Sequence, residues 1–181
     1  MIFEFSEISY MLSGDELCAL ISMSGTETEK KYLFPLSFSD TNSVERGLKS
    51  LEERGKLIRE GEKVFADKVL LFFGHCITKS TRGVAIYGGA VQCLGVFLAN
   101  RAALCACDDG SQWILTPFQS HADAIEFVHT RFTKKKGMYD GEMVIYENMS
   151  EIARIPLTGM YSNRVFTVIK NWLSEGRLPG N

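Results

Sequence analysis

The chain has no apolar run near the about 20 residues that a membrane-crossing helix requires. Its longest such run, Val69–Ile77 "VLLFFGHCI", is far shorter. It also has little charge excess. Formal net charge is −2 over 181 residues, which gives no general attraction to nucleic acid or to an anionic membrane surface. There are only four prolines and no proline-rich linker. The three histidines, His75, His121 and His129, do not form an i, i+4 ligand pair. No H-E-x-x-H, G-x-S-x-G or phosphate-loop motif occurs. Acids within the first ten residues, with no basic segment before the apolar ones, argue against a secretory leader. The five cysteines lie in apolar runs and are odd in number. That pattern suits buried free thiols in a reducing compartment, so a cytoplasmic location is expected.

The sequence that is present has an ordinary globular composition, with 45% hydrophobic and 23% charged residues. A chain of this length can bury a core without disulfides or metal. "FEFSEISYML" alternates apolar and polar residues and reads as a bulged strand or two short ones. "SGDELCALISM" reads as a helix, because Ser13 and Glu16 have capping-box spacing and Leu17, Leu20 and Ile21 share one face. "YLFPL" reads as extended. The next helix, Ser43–Arg54, carries an apolar stripe of Val44, Leu48 and Leu51 and ends at Gly55. "KLIREGEKVF" then forms a hairpin, and "ADKVLLFFGHCI" is a buried helix or a strand, the helical spacing of Val69, Phe72, Phe73 and Cys76 favouring the helix.

The second half changes character. "RGVAIYGG", "VQCLGVFLAN", "AALCACDDG" and "QWILTPF" are short, rich in strand formers and separated by turn residues, which predicts an antiparallel meander. A helix capped by Ser120 follows, burying Ile125, Val128 and Phe132. Then come an exposed loop, "TKKKGMYDG", a strand, "EMVIYE", and a last helix. That helix is capped by Ser162, ends at Gly176 and carries a stripe of Val165, Val168, Ile169 and Trp172. The reading is one α+β domain over residues 1–181. It has a helix-rich, winged-helix-like half over 1–80 and a β-meander with helices over 81–181.

A helix followed by a hairpin is the reading unit of winged-helix DNA-binding regulators, which makes such a regulator the alternative function. The exposed positions of that helix are Glu45, Arg46, Lys49, Ser50, Glu52, Glu53 and Arg54, so acids nearly cancel bases. Glu45–Lys49 and Lys49–Glu53 have the spacing of a solvated helix face, and Glu60 and Glu62 at the hairpin tip would repel phosphate. Nucleic acid is therefore disfavoured as a partner. Cys105 and Cys107 fall on one face of a strand, which suits a buried strand better than the turn-borne thiol pairs of structural zinc sites. No catalytic, cofactor-binding or metal-ligating set is assigned, and an enzyme is not expected. The run Lys134, Lys135 and Lys136 is a solvated loop or a contact patch for an acidic partner. With Tyr139, Phe166 and Leu173 it makes up the expected partner-binding set.

The order of these pieces over roughly residues 7–130 resembles the EspG-type chaperones of ESX (type VII) secretion. "LSGDELCALISMSG" is similar to that family's opening helix. "YLFPL" and "VERGLKSLEERGKLI" are similar to its aromatic-proline piece and following helix, and "ANRAALCACDDGSQWILTPFQSHADAIEFV" to its strand–turn–strand and capped helix. The resemblance implies a central antiparallel sheet flanked by helices. It also implies a cytosolic, non-enzymatic chaperone or adaptor whose clients are helical secreted proteins of the WXG type. Family members contain two similar halves, so a chain this short is expected to form a two-fold homodimer that restores the pair.

Overall fold

The computed structural model describes residues 9–24, 41–61, 63–88, 94–100, 102–108, 112–134, 137–148 and 150–178. The expected "YLFPL" extended piece and most of the N-terminal strand lie outside them. Five helices are described: α1 (Gly14–Met23), α2 (Thr41–Glu53), α3 (Lys68–Thr78), α4 (His121–Lys134) and α5 (Ser162–Glu175). The strands are β1 (Tyr10–Leu12), β2 (Leu57–Glu60), β3 (Lys63–Ala66), β4 (Arg82–Tyr87), β5 (Leu94–Ala99), β6 (Ala102–Asp108) and β7 (Trp113–Phe118). They continue with β8 (Met138–Tyr139), β9 (Glu142–Glu147), β10 (Ser150–Pro156) and β11 (Met160–Tyr161).

Seven strands make one sheet in the order β1-β7-β6-β5-β4-β9-β10, antiparallel at every pairing. The fold is α+β. From the edge strand β1 the chain crosses one face as α1, α2, the β2–β3 hairpin and α3, then enters the sheet at β4. The meander β4–β7 returns to β1. α4 crosses the other face to β9, which pairs with the far side of β4, and the β9–β10 hairpin completes the sheet.

Alternation along the inner strands assigns one core to each face. Ala85, Phe97, Leu104, Ala106, Val144 and Tyr146 pack with α1, α2 and α3. Val84, Ile86, Val96, Leu98, Cys105, Cys107 and Ile145 pack with α4 and α5.

On the first face α1 is fixed by the expected capping box. The Glu16 amide donates to Ser13 Oγ at 3.2 Å, and Glu16 Oε2 accepts from the Ser13 amide at 2.9 Å. The same carboxylate reaches α2. It accepts from Ser50 Oγ at 2.8 Å and from Arg54 Nη1 at 2.7 Å, although Glu16 is only 2% exposed. The helices approach closely at Gly47, where an added Cβ would drive into the Asp15 carbonyl and come within 2.9 Å of the Ala19 Cβ. The helix–hairpin unit forms as expected, with Gly55 at φ +67° ending α2.

Several expectations are corrected. Residues 133–141 are not one exposed loop, because α4 runs on to Lys134 and Met138–Tyr139 form β8. Ser162 does not cap α5. Tyr161 holds that position with no side-chain cap, and the Ser162 amide instead donates to the Gly137 carbonyl at 3.3 Å. Glu45 turns to Arg59 at 3.4 Å rather than along α2 to Lys49. Strand β10, unanticipated, is an edge with mostly exposed side chains. A register shift between Glu151 and Ala153 and the charges of Glu151 and Arg154 are devices that discourage edge-to-edge pairing.

Gly47→Ala should destabilise the fold by about 3 kcal/mol, the upper range for overpacking a tight contact, read as a lowered denaturation midpoint. Glu16 supplies a second expectation. Burial pushes its carboxyl pKa up, but Arg54, the Ser13 amide and Ser50 outweigh burial and hold it below the ordinary 4.5. Its stabilising contribution is therefore fully present above pH 4.5 and is lost as pH falls through the lower folded value. Glu16→Gln should cost about 1–3 kcal/mol at neutral pH and flatten the acid limb of the stability profile. An unchanged acid limb would refute the assignment.

Candidate functional site: a groove between the last two helices

α4 begins where Ser120 Oγ accepts from the Asp123 amide at 3.1 Å. It buries Ala124, Val128 and Phe132 against the sheet. α5 buries Val165, Val168, Ile169, Trp172 and Leu173. It is tied to the sheet by Trp172 Nε1, which donates to the Gly83 carbonyl at 3.2 Å, and by Arg82 Nη1, which donates to the Leu173 carbonyl at 3.2 Å. Gly176, at φ +69°, ends it.

Between the C-terminal end of α4 and the start of α5 lies a groove of about 710 Å³. It is lined by His129, Phe132, Thr133, Gly137, Tyr161, Ser162, Asn163, Phe166 and Thr167. His129 and Phe166 stack across it with ring centroids 4.5 Å apart and planes at 28°. His129 Nδ1 lies 3.5 Å from Glu126 Oε1. At one end the β8–β11 ribbon pairs Met138 with Tyr161, and both are exposed.

The expected partner-binding residues divide into three groups. Phe166 lines the groove, and Lys134 ends α4 directly after the lining Thr133. Lys135 and Lys136 lie outside the described residues. Tyr139 and Leu173 are buried within the chain's own core. Tyr139 stacks on Phe132 at 5.3 Å, and Leu173 belongs to the sheet-facing stripe of α5, so α5 offers no second apolar stripe through it. Residues missed by the sequence reading are His129, Tyr161 and Thr133. His129 and Thr133 lie on α4 and Tyr161 just before α5, and the sequence does not place these two helices side by side.

Elsewhere, chemistry-bearing side chains are separated. Cys105 and Cys107 are buried on the α4–α5 face, whereas Cys76 is buried on the opposite face, so the sheet stands between them. Burial raises all three thiol pKa values, that of Cys76 to about 12. At Cys107, Arg131 opposes the rise, with Nη1 donating to Sγ at 2.8 Å. His121 Nε2 lies 2.6 Å from the Ala99 carbonyl oxygen, which holds the ring at the start of α4. Among the described residues no three His, Cys, Asp or Glu side chains are grouped as a metal ion would require. No helix among them is long and apolar enough to cross a membrane.

The bases of α2 are engaged from within. Arg46 Nε and Nη2 donate to Asp15 at 2.7 and 3.1 Å, Arg54 holds Glu16, and Lys49 lies 3.8 Å from Glu53. On the hairpin, Arg59 sits between Glu45 and Glu52. A phosphate-reading face needs its cations free to meet phosphate, and these face the chain's own carboxylates. No protein-family model matches the sequence, and no curated protein matches it.

The buried thiols give a direct check. Cys76, Cys105 and Cys107 should react with a thiol reagent in the native protein only as fast as it opens, since the thiolate is the reactive form. Rapid stoichiometric labelling of any of them would contradict the packing.

Proposed function

We propose that the chain is a non-enzymatic binding module, a cytoplasmic chaperone or adaptor that captures helical clients of type VII secretion in the manner of the EspG-type proteins it resembles. The observation that carries this reading is the α4–α5 groove. It is apolar, open to solvent and aromatic on both walls, through Phe132 and His129 on α4 and Phe166 on α5. An amphipathic helix recognises such a groove by laying its i, i+3, i+4, i+7 stripe into it. Small helical proteins of the WXG type are the clients to test. Co-expressed, they should co-elute with the chain, and Phe166→Asp should reduce their affinity by about 2 kcal/mol or more, as loss of a central aromatic anchor does. Retained binding by a folded Phe166→Asp protein would move the site elsewhere.

The proposal includes a two-fold homodimer. Its support is the hairpin, where Ile58 and Phe65 stand opposite each other and are 61% and 51% exposed, an apolar pair that a second copy would cover. Light scattering behind a sizing column should give twice the chain mass of 20.3 kDa, and Phe65→Asp should return the monomer. A wild-type mass of one chain would overturn the dimer and leave the groove reading intact.

A further inference from the structure

The β2–β3 hairpin has two unlike faces. Its register pairs Leu57 with Ala66, Ile58 with Phe65, Arg59 with Val64 and Glu60 with Lys63, and side chains alternate between faces along each strand. One face carries Leu57, Arg59, Val64 and Ala66. Leu57 is buried and Arg59 is held by Glu45 and Glu52 of α2, so this face is turned inward. The other face carries Ile58 and Phe65 in its middle row and Glu60 and Lys63 in the row nearest the tip. All four are exposed. Lys56 and Asp67 form the row at its base, where the Asp67 amide donates to the Lys56 carbonyl at 2.9 Å. Their charges are used within the chain. Lys56 Nζ lies 3.8 Å from Asp67 Oδ2 and 5.1 Å from the Tyr10 ring centroid, and Asp67 Oδ1 accepts from the Val69 amide at 2.8 Å. Neither Glu60 nor Lys63 has an ion-pair partner among the described residues.

This pattern is self-complementary. On the outer face β2 reads basic, apolar, acidic from Lys56 to Glu60. β3 reads basic, apolar, acidic from Lys63 to Asp67, and it runs the opposite way. A two-fold axis lying in the face and parallel to the strands sets β2 of one copy over β3 of the other. Ile58 then meets Phe65 twice, and Glu60 meets Lys63 twice. An axis across the strands would instead set Glu60 over Lys56, whose ammonium is already taken by Asp67 and Tyr10. We propose that the outer hairpin face is a two-fold interface between copies of this chain, with Ile58 against Phe65 at its centre and Glu60 against Lys63 at its rim. This deepens, and rests on, the dimer reading. It fixes the axis, the pairing and the charges that make a second copy the occupant. A foreign surface would have to match this alternation of sign by chance, whereas a second copy carries it by symmetry. Opposed charges at an interface rim set its register and exclude wrong partners.

Charge reversal in two separate variants of the full chain tests this. Glu60→Lys alone leaves two lysine–lysine contacts in the symmetric dimer, and Lys63→Glu alone leaves two glutamate–glutamate contacts. Sedimentation velocity over a rising concentration series at low salt should show each variant self-associating about tenfold more weakly than the wild-type chain, the scale of two exposed pairs changing from attraction to repulsion. The difference should shrink at about 0.15 M salt. Mixed in equal amounts, the two variants should associate as tightly as the wild type, because both rim contacts of the mixed dimer then join opposite charges. Mixing leaves each variant's own hairpin as it was, so this rescue cannot come from charge pairing within one chain. Circular dichroism melts confirm that both variants fold. If the wild type associates but neither reversal weakens it, or if mixing restores nothing, the proposed pairing is overturned and the dimer reading stands. A wild-type chain that stays monomeric through the whole series would overturn both.

Discussion

A seven-stranded sheet whose inner strands are apolar on both faces must be covered twice, and the rest of the molecule follows from that. All six residues of β5 are buried, as are the central residues of β4, β6 and β9. Such strands read as near-continuous apolar runs rather than alternating ones. One layer of helices would leave Val84, Val96, Cys105 and Ile145 in water. The chain answers by splitting its helices: among the described residues, three precede the meander and cover one face, and two follow it and cover the other. The long connection from β7 back to β9 is what carries α4 across the second face.

The two helical layers are fixed differently, and this bears on where a partner could dock. On the first face α1 and α2 lock through a buried carboxylate and a glycine crossing. Glu16 joins the start of α1 to Ser50 of α2 and to Arg54 just past its end, and Gly47 brings the backbones together. Glycine inside a helix costs up to about 1 kcal/mol, which the close crossing offsets. This layer turns its charges inward onto one another. On the second face α4 and α5 pack against each other, with His129 stacked on Phe166. Between the end of α4 and the start of α5 a groove is lined by residues of both helices, His129 and Phe166 among them. A layer whose ion pairs are internally satisfied is a scaffold, and a layer with an unfilled apolar seam is where binding free energy remains to be gained.

Local chemistry is the part of this fold that the sequence makes legible. The Ser13–Glu16 box, the Gly55 and Gly176 stops and the hairpin after α2 are written in neighbouring residues, and neighbouring residues form them. What escapes is decided by distant partners. β10 carries exposed polar side chains because it is an edge, and nothing in "SEIARIP" distinguishes an edge strand from a loop until β9 is beside it. Tyr139 looks like a loop aromatic free for a partner, yet Phe132, seven residues earlier, claims it. Leu173 looks surplus to the α5 stripe because a stripe read at one phase is narrower than the face a flat sheet covers. Half the site is legible for the same reason. Phe166 stands out as surplus to its stripe, while His129 becomes a groove residue only because α4 lies against α5.

The balance between the two edges of the sheet limits how the molecule could associate. Among the described residues β1 pairs with β7 over Tyr10–Leu12. β10 is seven residues long, but it carries a register shift, terminates in Pro156 and has Arg154 held by Glu142 and Glu151. A second sheet docking on β10 would have to break or bury that charged triad, and burying paired ions recovers little of their lost hydration. Strand-to-strand growth is therefore disfavoured at the longer edge. Association is left to surfaces where side chains, not backbone, are unsatisfied: the Ile58–Phe65 face of the hairpin and the α4–α5 groove. These lie on opposite helical layers, since the hairpin belongs with α2 and α3 and the groove with α4 and α5. The proposed dimer face and the proposed client groove therefore do not overlap.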